Sequence, residues 1–455
     1  FAIRPKSFNF STNVNPLSTE YYAGENFTID FNVSNVSQYN EAKDSSFEVI
    51  ASVTNENCRI DGFEIKDFNF TDGVVNNVDA NYSNIGDLNI TIKEKDDCSD
   101  KFASVDCDDK DVLNHWNTDI DISIEAYSDQ IYIKPYKLNV TVANMSASTG
   151  EDWLYMANVD DMNVSLFAEV KAFNKQGTVL KDFNSTCYDK EVKIDVKASF
   201  DTTGLDINYT TAVNDSFGSL DNVEDASSID KTITIGDASF TDGEANVTCT
   251  FNVDRKYTTP ISPFKVSDFN ASVQDTSISK EVNWSKSSTQ KIFYYGRVVA
   301  DDIVTQKTPA EHFAEFEVYD ADSSSYVTDF KQNSLRWYRN KNHTDLKDGN
   351  ITIVNDISVN NFHINNNGKI DFNISNTIPN TYNMHIETQE WLFYNPYATN
   401  FDTTSLNCME HPCFKYTFKG SPSTLTGIKS GDFNGTSYEI KPRGKYERTG
   451  VKVFR

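Results

Sequence analysis

Lys193-Ile194-Asp195-Val196-Lys197-Ala198-Ser199-Phe200 alternates polar and apolar residues one by one. That pattern gives an extended strand one wet face and one dry face. The same period of two runs through Phe27-Thr28-Ile29-Asp30-Phe31 and, around a turn-rich middle, through Phe68–Ile92. Asn-Gly, Asp-Gly and Ser/Asp clusters interrupt such runs about every ten residues. The spacing predicts an all-β chain of tandem immunoglobulin-like β-sandwich domains rather than alternating strands and helices. Thr308–Val318 opens as Thr-Pro-Ala-Glu and could start a helix, but Phe313, Phe316 and Val318 fit a strand, the preferred reading.

Two short anchors recur in the same order. Ile3-Arg4-Pro5-Lys6 returns as Ile133-Lys134-Pro135-Tyr136, and Phe70-Thr71-Asp72-Gly73 returns as Phe240-Thr241-Asp242-Gly243. Thr-Asp-Gly by itself is a good turn; the shared order of two anchors points to a duplicated sandwich. The expected boundaries are 1–130 for the first repeat, 131–292 for a second with an insertion, and 293–455 for a third, β-rich C-terminal domain. That last region carries neither anchor.

The 455 residues have a formal net charge of −26, which disfavours nucleic acid and anionic membranes as partners. With 31 Phe and 22 Tyr the chain can still build real cores. No run reaches the length of a membrane-spanning helix. The chain opens Phe1-Ala2-Ile3-Arg4-Pro5 without an initiator Met, so it reads as a processed or truncated product whose export signal lies upstream.

The motif richest in chemistry is Asn-X-Ser/Thr, the acceptor signal for N-glycosylation, found 20 times. In 13 copies Asp or Glu stands two residues before the Asn: Asn32, Asn69, Asn81, Asn89, Asn163, Asn184, Asn208, Asn246, Asn270, Asn283, Asn350, Asn373 and Asn434. Acidic residues are 67 of 455, so about 3 of the 20 would have one there by chance. On a strand the acid, the Asn and the Ser/Thr share one face, with Phe68 and Phe70, Leu88 and Ile90, or Phe372 and Ile374 turned to the core. A wet face alone explains polar residues, but Asp and Asn are poor strand formers, so their repetition favours N-linked glycans.

Seven cysteines match no zinc pattern. Local disulfides are expected instead: Cys187 with Cys249, Cys408 with Cys413, and one pair among Cys58, Cys98 and Cys107, with Cys98–Cys107 the pair retained. His115, His312, His343, His363, His385 and His411 are scattered, and no catalytic signature occurs. No catalytic or metal-ligating residue is assigned, and no cofactor. The acidic run from Asp96 to Asp111 could gather oxygen ligands for Ca²⁺, although the EF-hand register is absent. Trp391-Leu392-Phe393-Tyr394-Asn395-Pro396-Tyr397 reads as a core strand entering a turn, or as a sugar-stacking surface.

The extended Asp/Glu-X-Asn-X-Ser/Thr pattern resembles the acceptor of the Campylobacter-type bacterial oligosaccharyltransferase. Phe1–Phe8, the Phe-Thr-Asp-Gly anchor, Tyr295-Gly296-Arg297-Val298 and the aromatic run before Asn395-Pro396-Tyr397 resemble surface proteins related to the mannose-sensitive haemagglutinin pilus biogenesis protein Q. The expectation is an extracellular, non-enzymatic glycoprotein of a bacterial surface, part of an adhesive appendage or a filament subunit. Its partners would be N-linked glycans and other copies or surface proteins, with strand addition through Phe1–Phe10 or Gly450–Arg455 one route to a filament. A calcium-dependent surface-layer or matrix protein is the alternative.

Overall fold

The computed structural model describes residues 8–11, 20–33, 38–40, 42, 47–94, 125–127, 131–321, 326–327, 336–395, 408 and 412–420. Among them there are four 3₁₀ turns and no α-helix, hence no helix long and apolar enough to cross a membrane.

The chain is all β. The first two sheets contain β1 (Phe8–Ser11), β2 (Tyr21–Tyr22), β3 (Asn26–Val33), β4 (Phe47–Val53), β5 (Phe63–Ile65), β6 (Val74–Tyr82), β7 (Gly86–Glu94), β8 (Glu125–Tyr127) and β9 (Ile131–Lys134). The next pair begins with β10 (Lys137–Val142), β11 (Ser146–Ala147), β12 (Trp153–Tyr155), β13 (Val164–Phe173), β14 (Val192–Phe200), β15 (Leu205–Val213) and β16 (Ser216–Phe217). It continues with β17 (Asp221–Ala226), β18 (Ser228–Ile235), β19 (Glu244–Val253), β20 (Phe264–Val273), β21 (Glu281–Val282), β22 (Trp284–Lys286) and β23 (Lys291–Tyr294). The last pair holds β24 (Gly296–Ala300), β25 (Ile303–Thr305), β26 (Ala310–Tyr319), β27 (Trp337–Arg339), β28 (Ile351–Val354), β29 (Ser358–Asn365), β30 (Lys369–Ser375), β31 (Asn380–Thr388) and β32 (Cys413–Phe418).

All three pairs follow one strand plan. One sheet is ordered β1-β3-β6-β5, β10-β13-β19-β15 or β24-β26-β30-β29; its mate is β2-β9-β7-β4, β12-β23-β20-β14 or β25-β32-β31-β28. In each mate the short second piece of the opening strand (β2, β12 or β25) runs parallel to the closing strand. This is the immunoglobulin arrangement. The second pair adds β18 at the edge beside β14, with β17 beside β15.

The sheets pack face to face through alternating apolar residues. Phe8 meets Phe47 across the first sandwich, Phe251 meets Phe269 across the second, and Phe372 meets Phe414 across the third. Lys193–Phe200 falls in β14, where Ile194, Val196, Ala198 and Phe200 are buried and the residues between them are not. Thr308–Val318 supplies strand β26, not a helix.

The Phe-Thr-Asp-Gly anchors make the same turn twice. Asp72 and Asp242 both have φ 50°, Gly73 and Gly243 both φ 79°, the doubly left-handed two-residue hairpin that Asp-Gly favours. Each turn leads into the corresponding strand, β6 or β19. A Cβ at Gly243 would lie 2.3 Å from the Leu180 carbonyl oxygen, so glycine is required there twice over. The third sandwich builds the same plan without either anchor, because strand order follows from the apolar pattern and the turn positions rather than from one turn's residues. The first copy of the other anchor, Ile3–Lys6, lies outside the described residues. Ile133–Tyr136 spans the end of β9 and the passage to β10.

Candidate modification sites and the two joints

The acidic acceptors divide by what their side chains touch. Asn32, Asn69 and Asn246 are exposed, while Asn81, Asn89, Asn163, Asn184, Asn270, Asn283, Asn350 and Asn373 are half-buried. Asn208 is buried, at 7% exposure. Asn434 lies outside the described residues. Around Asn69, Asn89 and Asn373 the flanking pairs Phe68 and Phe70, Leu88 and Ile90, and Phe372 and Ile374 are all buried, so alternation turns those Asn side chains outward.

Other acceptors are engaged in the fold. Asn208 Nδ2 donates to Asn158 Oδ1 at 2.9 Å and Asn252 Oδ1 at 3.3 Å, while its Oδ1 accepts from Asn222 Nδ2 at 2.7 Å. Asn252 Nδ2 continues the chain to Asn163 Oδ1 at 3.2 Å. Asn283 grips the backbone of β10, accepting from Val140 N–H at 2.6 Å and donating to Val140 O at 3.0 Å. Asn81 Nδ2 donates to Asn26 Oδ1 at 3.0 Å.

Asn184 sits at the joint between the first and second sandwiches. Its neighbour Cys187 is disulfide-bonded to Cys58 with Cα atoms 5.6 Å apart, within the normal range. The buried Asp182 accepts on Oδ2 from Arg59 N–H and from Asn84 Nδ2, both at 2.7 Å. Asn55 Nδ2 donates to Thr186 O at 3.1 Å, and Asn174 Nδ2 to Ser83 O at 3.1 Å. Tyr132 stacks on Tyr188 with centroids 5.5 Å apart. At the rim, Lys280 Nζ donates to Glu25 at 2.5 Å.

The cysteine pairing therefore differs from expectation. Cys187 is bonded to Cys58, 129 residues away, and Cys249 is a free, buried thiol. The reason is geometric. Cys249 is 1% exposed and points between the sheets from β19, whereas Cys187 lies in a loop that faces the first sandwich. Burial pushes the Cys249 thiol up to about 12, so it is inert at neutral pH. No spacing in the sequence signals a pair so far apart. Cys408 and Cys413 are bonded to each other. Cys98 and Cys107 lie outside the described residues, as does the acidic run from Asp96 to Asp111.

The joint between the second and third sandwiches is built differently. Only Tyr295 separates β23 from β24, and Arg255 is 6% exposed beneath it. Its Nη1 donates to Trp391 O at 2.9 Å, and its Nη2 to Gly296 O at 2.5 Å and Phe393 O at 2.7 Å. The guanidinium lies 3.8 Å over the Tyr295 ring. Desolvation lowers its pKa, though a guanidinium keeps its charge in proteins. The stretch is thus neither a strand nor a sugar platform: a 3₁₀ turn, Glu390–Leu392, buries Trp391 and Leu392 and, with its cap Phe393, presents the Trp391 and Phe393 carbonyls to Arg255.

Beside it, Tyr155 OH accepts from Asn340 Nδ2 at 2.8 Å and lies 2.9 Å from His343 Nδ1. His343 Nε2 is 2.9 Å from Gly349 O. A carbonyl only accepts, so Nε2 carries the proton and Nδ1 receives the tyrosine hydroxyl. The ring stacks on Phe316 at 3.6 Å, and burial depresses its pKa to about 4.

The other described histidines are dispersed. His312 Nε2 contacts Asp301 O at 2.8 Å and is held below its ordinary pKa by desolvation; His363 is exposed. His385 faces Cys413 across β31 and β32, with Nδ1 3.2 Å from Sγ. His385, Cys408 and Cys413 would offer two thiolates and an imidazole to a soft cation, but only if the disulfide between the two sulfurs were reduced. His115 and His411 lie outside the described residues.

No protein-family model matches the chain, and no curated protein is similar to it. Among solved structures, the chain is similar to FdeC, an Escherichia coli adhesin, at 10% identity and a TM-score of 0.34, over 90% of this chain and 96% of that one. It is similar to invasin, a bacterial integrin-binding protein, at 10% identity and a TM-score of 0.23, over 91% of this chain and 60% of that one. BcpA, the major pilin subunit of Bacillus cereus, gives 11% and 0.23, over 85% of this chain and 97% of that one. Likenesses of this size transfer no residue role and no partner to this chain.

Proposed function

We propose that this chain is an N-glycosylated structural protein of a bacterial cell surface, a component of an adhesive appendage or of an extracellular filament, and not an enzyme. The observation that carries this reading is the pair of closed joints. Pro135 and Tyr136 alone link β9 to β10, and Tyr295 alone links β23 to β24. Flexible linkers let domains move independently; here direct contacts join each sandwich to the next, as a protein that spans distance requires. The disulfides support an oxidising, extracellular location, and the outward-facing acceptors support a glycan coat that would also shield exposed strands from edge-to-edge pairing.

Strand β1 already pairs with β3 inside its own sheet, which disfavours Phe8–Phe10 as a strand donated to a neighbour. Residues 1–7 and 450–455 lie outside the described residues. Two measurements on native surface material test the proposal. Negative-stain microscopy with a specific antibody should show the protein along regular fibres or at their tips; a diffuse soluble distribution would overturn the structural role. Glycopeptide mass spectrometry should find hexose-bearing peptides at Asn69, Asn246 and Asn373, and bare peptides at all three would overturn the glycoprotein reading.

A further inference from the structure

We propose that the fold withholds Asn184 and Asn208 from N-glycosylation, and that closure of the first joint is what withholds Asn184. This rests on the reading of the chain as a glycoprotein. Transfer forms a bond from Asn Nδ2 to the anomeric carbon of a lipid-diphosphate oligosaccharide. The amide loses one proton, and the lipid diphosphate leaves with the bonding pair. The acceptor segment must therefore be accessible and its amide free to react, and in this chain the acid two residues earlier belongs to the signal.

At Asp182-Phe183-Asn184-Ser185-Thr186 the residues Ser185 and Thr186 are exposed, but the acid, the aromatic residue and the acceptor amide are engaged. The Asp182 carboxylate is bound across the joint by Arg59 and Asn84. Phe183 is fully buried, with its ring 4.6 Å from that of Phe240. Asn184 Oδ1 accepts from Thr186 N–H at 2.9 Å and Cys187 N–H at 3.2 Å, and its Nδ2 donates to Lys181 O at 3.2 Å. Thr186 O is held by Asn55, and the next residue is covalently tied to Cys58. The site can be read only while the first sandwich is undocked from the second.

Asn208 is withheld independently. Its amide bonds lie within the second sandwich and its approach to the third, and its acid, Asp206, accepts from Asp225 N–H at 3.1 Å and pairs with Lys256 at 3.2 Å. Asn69 and Asn246 are exposed, and among the described residues neither side-chain amide has a hydrogen-bond partner. Asn69 serves as the reference within the same molecule, since Glu244, the acid before Asn246, pairs with Lys171 at 3.0 Å.

The test co-expresses the full chain with an oligosaccharyltransferase that requires the acidic residue, and measures occupancy by glycopeptide mass spectrometry. Occupancy of Asn184 and Asn208 is expected about tenfold or more below that of Asn69, since only locally opened molecules react. In the double variant Cys58→Ser/Asn84→Ala, Asn184 should rise about fivefold or more while Asn208 stays low. Asn208 is the folding control: a parallel rise there overturns the assignment to the joint, as does no rise at Asn184. Equal occupancy of Asn184, Asn208 and Asn69 in the parent chain overturns the inference and leaves the glycoprotein reading standing. Absence of glycan from every site overturns both.

Discussion

The two joints solve one problem by opposite means. The first is a covalent clasp with polar contacts around it: Cys58–Cys187, a carboxylate shared by two amide donors, and lysine–glutamate pairs at the rim. The second has no cross-link among the described residues. It relies on a buried cation received by three carbonyls and on a tyrosine–histidine–asparagine relay packed against aromatic rings. A disulfide acts mainly by restricting the open chain, so the first joint tolerates wet contacts. A buried charge is stable only while all its partners are in place, so the second must be assembled as a unit. The first joint should accordingly respond to reductant and the second to acid.

Replacing Arg255 should have the largest effect. Arg255→Ala leaves three buried carbonyls without their donor and should destabilise the second joint by about 3–5 kcal/mol. Calorimetry should then show the third sandwich melting apart from the others, and hydrogen exchange should rise at Gly296 and Trp391. Unchanged melting would mean the joint does not depend on the cation.

Reduction, or Cys58→Ser, should come next. The closed loop is long, and its release should remove about 2–4 kcal/mol from the docking of the first sandwich while protection around Arg255 stays as it was. Equal loosening of both joints would erase the distinction between them.

Acidification should give the smallest shift, and in the other joint. The folded His343 pKa, about 4, lies below the ordinary value near 6.5, so the native state favours the neutral ring. The opened state takes up a proton first as pH falls. The stabilisation is complete above about 6.5 and is lost on the way down to about 4, amounting to roughly 2 kcal/mol between pH 7.5 and 5. Relaxation confined to the second joint, abolished in His343→Gln, is the expected result. No histidine among the described residues lies at the first joint, so acid loosening there would contradict the scheme.

Much of the fold was legible because a period of two writes sheets directly, as in Lys193–Phe200 and Phe68–Ile92. The Asp-Gly turns were legible for the same local reason: the residue types needed for positive φ are few. The common plan of the third sandwich was not, since its turns use other residues. Nor were the joints. Arg255 looks like any surface arginine until Trp391, Gly296 and Phe393 converge on it, and Cys58 gives no hint of Cys187 because their meeting depends on how two separate sandwiches dock. The acceptor motif could be counted from the chain, but which amides are already bonded depends on partners as distant as Asn158 and Asn252.

In each sandwich the second piece of the opening strand lies parallel to the closing strand, as β12 does to β23 and β25 to β32. Tension pulling the two ends of such a unit apart is carried along those paired strands, so their hydrogen bonds are sheared together rather than unzipped singly. With both joints closed, the same pull passes from one parallel pair to the next. Under extension the chain behaves as a tether whose strength is set by its weakest sheared pair, and the shortest of the three, Tyr21–Tyr22 against Ile133–Lys134 with two bridged residue pairs where the other two have three, is a natural place for that limit.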